Sequence, residues 1–176
     1  MTKRASGRFG RAERDFYPTP EAAVTPLLWR LRKGTRFYEP CAGNGTLSMT
    51  LGHYGMVCTG QSDLYPQSGA VKPLDALKLS RELLNDADVI VTNPPWERKL
   101  LHELIDHLRS LAPTWLLLDA DWLFTQQAAP FLRTASVIIA MGRIRWMAGS
   151  PSDGYDNHAW VRFEAHDMLP VFIGRR

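Results

Sequence analysis

Residues Val89-Ile90-Val91-Thr92 are four β-branched residues in a row, and two prolines, Pro94 and Pro95, follow after a single asparagine. The run predicts a buried strand. Proline has no backbone N–H to extend a ladder, so the strand must end in a stiff turn that holds Asn93 and Trp96 at its carboxyl end. Around this point strand and helix signals alternate. Val24, Leu27, Leu28 and Leu31 recur at helical spacing after Pro18-Thr19-Pro20 and predict a helix over 21–31. Further helices are expected over 46–54, 80–84, 97–111 and 126–133, and strands over 37–38, 56–59, near Val71, 89–92 and 115–118. Residues 136–147 and 158–163 are strand-like and a turn-forming segment, 149–154, separates them, which predicts a terminal antiparallel hairpin. The alternation implies an α/β protein with a doubly wound, mostly parallel sheet, to which the hairpin adds an antiparallel edge strand. Ligands of such sheets bind beyond the carboxyl ends of the strands, where each motif below falls.

The chain of 176 residues is one domain by length, with 45% hydrophobic and 22% charged residues, as soluble globular proteins have. Its apolar stretches, such as 115–118 and 137–141, are far too short to cross a bilayer, and its basic start has no apolar follow-on, so neither a signal peptide nor a membrane partner is expected. Cys41 and Cys58 are too few for a disulfide framework or a zinc site, and the histidines have no metal-ligand spacing; no metal and a reducing, cytoplasmic setting are expected. Lys3, Arg4, Arg8, Arg11 and Arg14 crowd the first segment. Residues 1–14 therefore read as a flexible basic arm, either a set of phosphate contacts or a solvated tail, and 15–176 as one domain.

Asn93-Pro94-Pro95-Trp96 presents an amide oxygen, a free carbonyl and a large aromatic face together. Methyl transfer to a planar exocyclic amine needs that combination. The amine's lone pair is delocalised into its ring, and two acceptors on its hydrogens, Asn93 Oδ1 and the Pro94 carbonyl, would localise it while Trp96 stacks on the ring. The run resembles the catalytic motif of the amino-methyltransferases, in which Asp, Asn or Ser precedes Pro-Pro and an aromatic. Those enzymes use S-adenosylmethionine to methylate adenine N6, cytosine N4 or a glutamine amide. The Asn form with Trp is less common in that family than the Asp form with Tyr.

Glu39-Pro40-Cys41-Ala42-Gly43-Asn44-Gly45 follows the first expected strand and opens a helix. Its glycines permit a tight turn and close approach to a ligand. The glycine spacing of dinucleotide folds is absent. The arrangement instead resembles the first motif of amino-methyltransferases, which packs against the methionine part of the donor. Asp63, after the second strand, is placed to accept from two ribose hydroxyls, as an acidic residue does in nucleotide folds, with Leu64 or Tyr65 against the adenine. Asp75 could accept from the donor's adenine amine, with the Ala76 and Leu77 backbone reading its ring edge. Upstream, Tyr17-Pro18-Thr19-Pro20 resembles the aromatic-Thr-Pro stretch that covers the methionine end in adenine methyltransferases. Thr19 is both a plausible helix cap and a plausible carboxylate ligand.

The resemblance, over residues 15–96, implies a class I methyltransferase fold and an adenine-N6 DNA methyltransferase, with S-adenosylmethionine as donor, S-adenosylhomocysteine as product, and DNA favoured over RNA as partner. Adenine in RNA, cytosine N4 and a glutamine amide are the alternative acceptors, and a catalytically silent nucleic-acid-binding subunit or scaffold is the alternative outside enzymes. No separate recognition domain is expected, so selectivity is loose or comes from loops, a second copy of the chain or an accessory subunit. Arg143 and Arg145, alternating on one strand, are candidate phosphate contacts or charges that guard an edge. The tryptophans other than Trp96 are expected in the core, with Trp146 left open.

Overall fold

The computed structural model describes residues 18–146, 154 and 156–175. Arg11, Arg14 and Tyr17, the basic arm and most of the loop between the last long strands lie outside the described residues.

The parallel part of the sheet consists of β1 (Arg36–Glu39), β2 (Val57–Asp63), β3 (Lys72–Pro73), β4 (Val89–Thr92) and β5 (Thr114–Asp119). β6 (Ala135–Arg143), β7 (Asn157–Phe163) and β8 (Val171–Ile173) complete the order β3-β2-β1-β4-β5-β7-β6-β8. β7 runs antiparallel to both β5 and β6, and β8 lies parallel on the outer side of β6. β1 has β2 on one side and β4 on the other, so the chain reverses its direction of travel across the sheet between them, and a crevice opens at their carboxyl ends.

Side-chain alternation along the central strands fills two cores, one per face. Ile90, Leu116 and Leu118 pack with Leu101, Leu104, Ile105 and Leu108 of α3 (Arg98–Leu111). Val89, Val91, Trp115 and Leu117 point the other way, toward Leu47 and Leu51 of α2 (Thr46–His53) and Val24 of α1 (Glu21–Val24). A strand covered on both faces has no polar side, which is why Val89–Thr92 lacks alternation. Trp160 Nε1 donates to the Ala23 carbonyl at 2.7 Å and pins α1 to β7.

Several elements differ from their sequence reading. The first helix stops at Val24 and continues as a 3₁₀ turn, Thr25–Trp29, because Pro26 supplies no N–H for a continuous α-helix. Thr19 does not cap it: Pro20 occupies the cap position and no side chain bonds there, while Thr19 itself is buried. The helix expected over 126–133 shortens to α4 (Ala129–Leu132), with Pro130 in its first turn. β2 runs on to Asp63, so that acid ends the strand rather than following it. Among the terminal strands, β6 is covered by β8 along Val137–Ile139 and is not the edge, and β7 sits between β5 and β6. β6 ends at Arg143, so Arg145 lies beyond it and the two arginines do not share a strand, though both are exposed. Trp115, Trp122 and Trp160 are core residues as expected, whereas Trp29 is 77% exposed.

Candidate active site

The glycine turn is built from the strands beneath it. Cys41 N donates to Thr92 Oγ1 at 3.2 Å, tying the end of β1 to the end of β4, and Ala42 N donates to the Ser62 carbonyl at 2.9 Å, tying it to β2. Gly43 and Gly45 have φ of 55° and 85°, the left-handed region that favours glycine. At Gly45 a Cβ would also approach Gln61 Oε1 to 3.0 Å. Pro40, Ala42, Gly43 and Gly45 are buried and Cys41 half-buried, so the turn is a packed part of the sheet's rim.

Asp63 holds this turn from the side. Its Oδ2 accepts from Gly43 N and its Oδ1 from Tyr65 N, each at 2.8 Å. Each oxygen keeps a further lone pair, so the carboxylate retains acceptor capacity while it fixes the loop. Leu64 and Tyr65 beside it are 54% and 52% exposed. Asp75 caps the 3₁₀ turn Ala76–Lys78, its Oδ1 accepting from Leu77 N at 3.0 Å, and Ala76 is buried.

Glu39 is buried beneath the turn, where its Oε2 accepts from Ser48 N at 2.9 Å and Ser48 Oγ at 2.5 Å. Burial pushes its pKa from 4.5 to about 8 despite those bonds. The folded chain therefore holds this proton more tightly than the unfolded chain. Its contribution is fully present below the unfolded value and is lost as pH rises through about 8. Glu39→Gln keeps an acceptor for Ser48 and removes the titration. It should lose less stability than the parent between about pH 5 and pH 9, by on the order of a few kcal/mol. Melting curves across that window check it, and parallel losses in both proteins would mean another group titrates. Burial likewise pushes the Cys41 thiol up to about 12, which keeps it protonated and unreactive.

Asn93 opens the turn after β4. Its Oδ1 is buried and has no hydrogen-bond partner among the described residues. The pairing of β4 with β5 ends at Thr92 opposite Leu116, and Pro94 and Pro95 have no N–H with which to continue it. Trp96 Nε1 instead donates to the Leu117 carbonyl at 3.0 Å, which fixes the indole against β5. Its ring lies 5.1 Å from that of His158 and 5.8 Å from that of Trp146, edge-on to the latter. His158 is buried, and burial lowers its pKa against the opposing pull of the Gly142 and Asp156 backbone beside the ring.

Neither His158 nor the tie between Thr92 and Cys41 was singled out from the sequence. The alternation of His158 with Trp160 on one face of a strand was the available signal for the first. Arg143 pairs opposite Asn157, next to His158 in the sheet.

The chain matches no protein-family model, and no curated protein matches it in sequence. Solved structures do match. The M protein of the type I restriction enzyme EcoKI is 11% identical with a TM-score of 0.56 over 88% of this chain and 48% of that one. A protein of Pyrococcus horikoshii provisionally named an RNA methyltransferase is 15% identical, with a TM-score of 0.57 over 87% of each chain. Magnesium protoporphyrin IX methyltransferase from Synechocystis, solved with bound S-adenosylmethionine, is 16% identical, with a TM-score of 0.52 over 82% of this chain and 79% of that one. This is the class I methyltransferase fold. The chain spans about half the length of the type I modification subunits it matches. The glycine turn follows β1, Asp63 ends β2, Asp75 lies two residues beyond β3 and Asn93 follows β4, all on the carboxyl side of their strands.

The residues present suit S-adenosylmethionine. A side chain at Gly45 would be strained by its positive φ, carboxylates with remaining acceptor capacity stand at the end of β2 and two residues beyond β3, and an amide oxygen without a partner among the described residues follows β4.

Proposed function

We propose that the chain is an S-adenosylmethionine-dependent methyltransferase whose acceptor is the N6 amine of adenine in DNA. One observation carries the reading: Asn93 Oδ1, at the end of β4, is buried without a partner among the described residues. A buried acceptor left unmade costs about 1–3 kcal/mol, a cost offset when an acceptor amine donates to it. The donor, when bound, supplies a methyl group made electrophilic by its sulfonium.

The chain's own residues bind and orient. The glycine turn from Glu39 to Gly45 packs against the methionine part, with Tyr17, Thr19 and Pro20 covering that end. Asp63 accepts from the ribose, Leu64 lies by the adenine, and Asp75 with Ala76 reads the adenine edge. Asn93 Oδ1 and the Pro94 carbonyl accept the two hydrogens of the acceptor amine and draw its lone pair out of the ring. Pro95 stiffens the turn, and Trp96, held by Leu117, presents its ring to the extruded base. Arg11, Arg14, Arg143 and Arg145 contact phosphates. The type I modification protein among the structural matches supports a DNA acceptor at a coarse level. RNA is the second reading, favoured by the match over 87% of both chains to the Pyrococcus protein.

Incubation with labelled donor and, separately, unmethylated DNA, RNA and a protein extract tests the assignment. Label is expected in DNA. Label only in RNA or only in glutamine would move the acceptor, and no label anywhere would favour a silent scaffold or an assembly with an accessory subunit.

A further inference from the structure

Beside the Asn93–Trp96 turn, α3 and α4 leave an open groove of about 480 Å³ lined by Arg98, Lys99, His102, Gln127, Pro130 and Phe131. We propose that this groove holds the nucleotide next to the acceptor base, its phosphate on Arg98 and Lys99 and its base on Phe131. The inference rests on the nucleic-acid reading of the Asn93 site and adds to it a place for the neighbouring nucleotide.

Three features select this occupant. The first is charge. Arg98 and Lys99 stand together on the first turn of α3, and the Arg98 side chain has no hydrogen bond or ion pair among the described residues. The helix amides are not the anion site, because Glu97 already accepts from Lys99 N and Leu100 N at 3.2 and 2.9 Å. The cationic side chains are what remains for a phosphate.

The second is a braced aromatic surface. The Phe131 ring packs on His102 at 4.5 Å with 31° between the planes. His102 Nε2 accepts from Nε1 of the fully buried Trp122 at 3.2 Å, so His102 is held in orientation and, when neutral, carries its proton on Nδ1. A half-buried ring backed in this way is a platform of the kind on which bases stack, independent of base identity. The exposed Gln127 amide at the rim offers both a donor and an acceptor to a base edge.

The third is reach. Only Glu97 separates Trp96 from Arg98, which places their Cα atoms no more than about 7 Å apart. A strand whose base enters at Asn93 and Trp96 therefore brings an adjacent nucleotide within reach of Arg98 at the rim of this groove.

The test is binding of the full chain to a short fluorescent single-stranded DNA over a series of salt concentrations. Arg98→Gln combined with Lys99→Gln should weaken binding and reduce the slope of log affinity against log salt by up to about 1.4, at about 0.7 per lost phosphate contact on single strands. Phe131→Ala should weaken binding about tenfold with little change in slope, whereas Phe131→Tyr, which keeps the ring, should bind as the parent does. An oligonucleotide with an abasic residue beside its single adenine should lose the same factor on the unmodified chain, which keeps the stacking test independent of variant folding.

An unchanged slope in the double variant, or full affinity for the abasic strand, would overturn the proposal. So would a parent chain that binds an acidic peptide and no DNA, which would remove the nucleic-acid reading with it. Groove effects as expected, together with methyl transfer that does not depend on Asn93, would overturn the active-site reading alone.

Discussion

Asn93→Ala is expected to slow methyl transfer by about 10²-fold or more, the scale of removing one positioned polar group from a reacting centre. Donor affinity should change far less. The amide oxygen is buried, has no partner among the described residues and is held at the end of β4 by the prolines that follow, so it is preorganised before an acceptor arrives. The Pro94 carbonyl alone accepts one hydrogen and leaves the amine's lone pair conjugated with its ring. Single-turnover rates at saturating donor, set beside calorimetric donor affinity, separate the two quantities. A variant with the parental rate would place the chemistry elsewhere.

Asp63→Ala should produce the second large effect, and in two measurements at once. Its carboxylate holds the amides of Gly43 and Tyr65, so its removal frees the glycine turn as well as deleting an acceptor for the donor's ribose. Donor affinity should fall by about 1–3 kcal/mol, and folding stability by about 1.5–3 kcal/mol for loss of charge-assisted bonds. Asp63→Asn keeps one acceptor oxygen and should fall between. If Asp63→Ala lowers the melting temperature yet binds donor as the parent does, Asp63 is only a loop anchor.

The central strands and α3 were legible because their burial is written in the residue types. Val89–Thr92 shows no polar alternation, and Leu101, Leu104, Ile105 and Leu108 repeat at helical spacing above it. The glycine turn was legible for a related reason, since positive φ at Gly43 and Gly45 restricts what can stand there. The margins were harder to read. Val171–Ile173 adds to β6 through only three residues, strand formers by type but too brief a run to show a period or to announce a parallel edge strand. Pro26 and Pro130 lie inside apolar patterns that still read as helix, yet each removes the N–H that a regular helix requires. At the site itself, chemistry was legible and contacts were not. Asp63 was identified as an acceptor, but its hold on two loop amides depends on β2 pairing with β1 as far as Gln61 opposite Glu39 and running on to Asp63, a matter of sheet register. The packing of Trp96 with Trp146 and His158 joins three separate segments and arises only once β7 lies beside β5.

The identity of the methylated nucleoside tests most directly whether Asn93 holds the N6 amine of adenine. DNA labelled by the parent chain and by Asn93→Ala is digested and its nucleosides separated by mass. N6-methyladenine is expected from the parent, in short or relaxed sequence contexts, and at least about 10²-fold less from the variant. N4-methylcytosine as the product, or N6-methyladenine formed equally by both proteins, would contradict it.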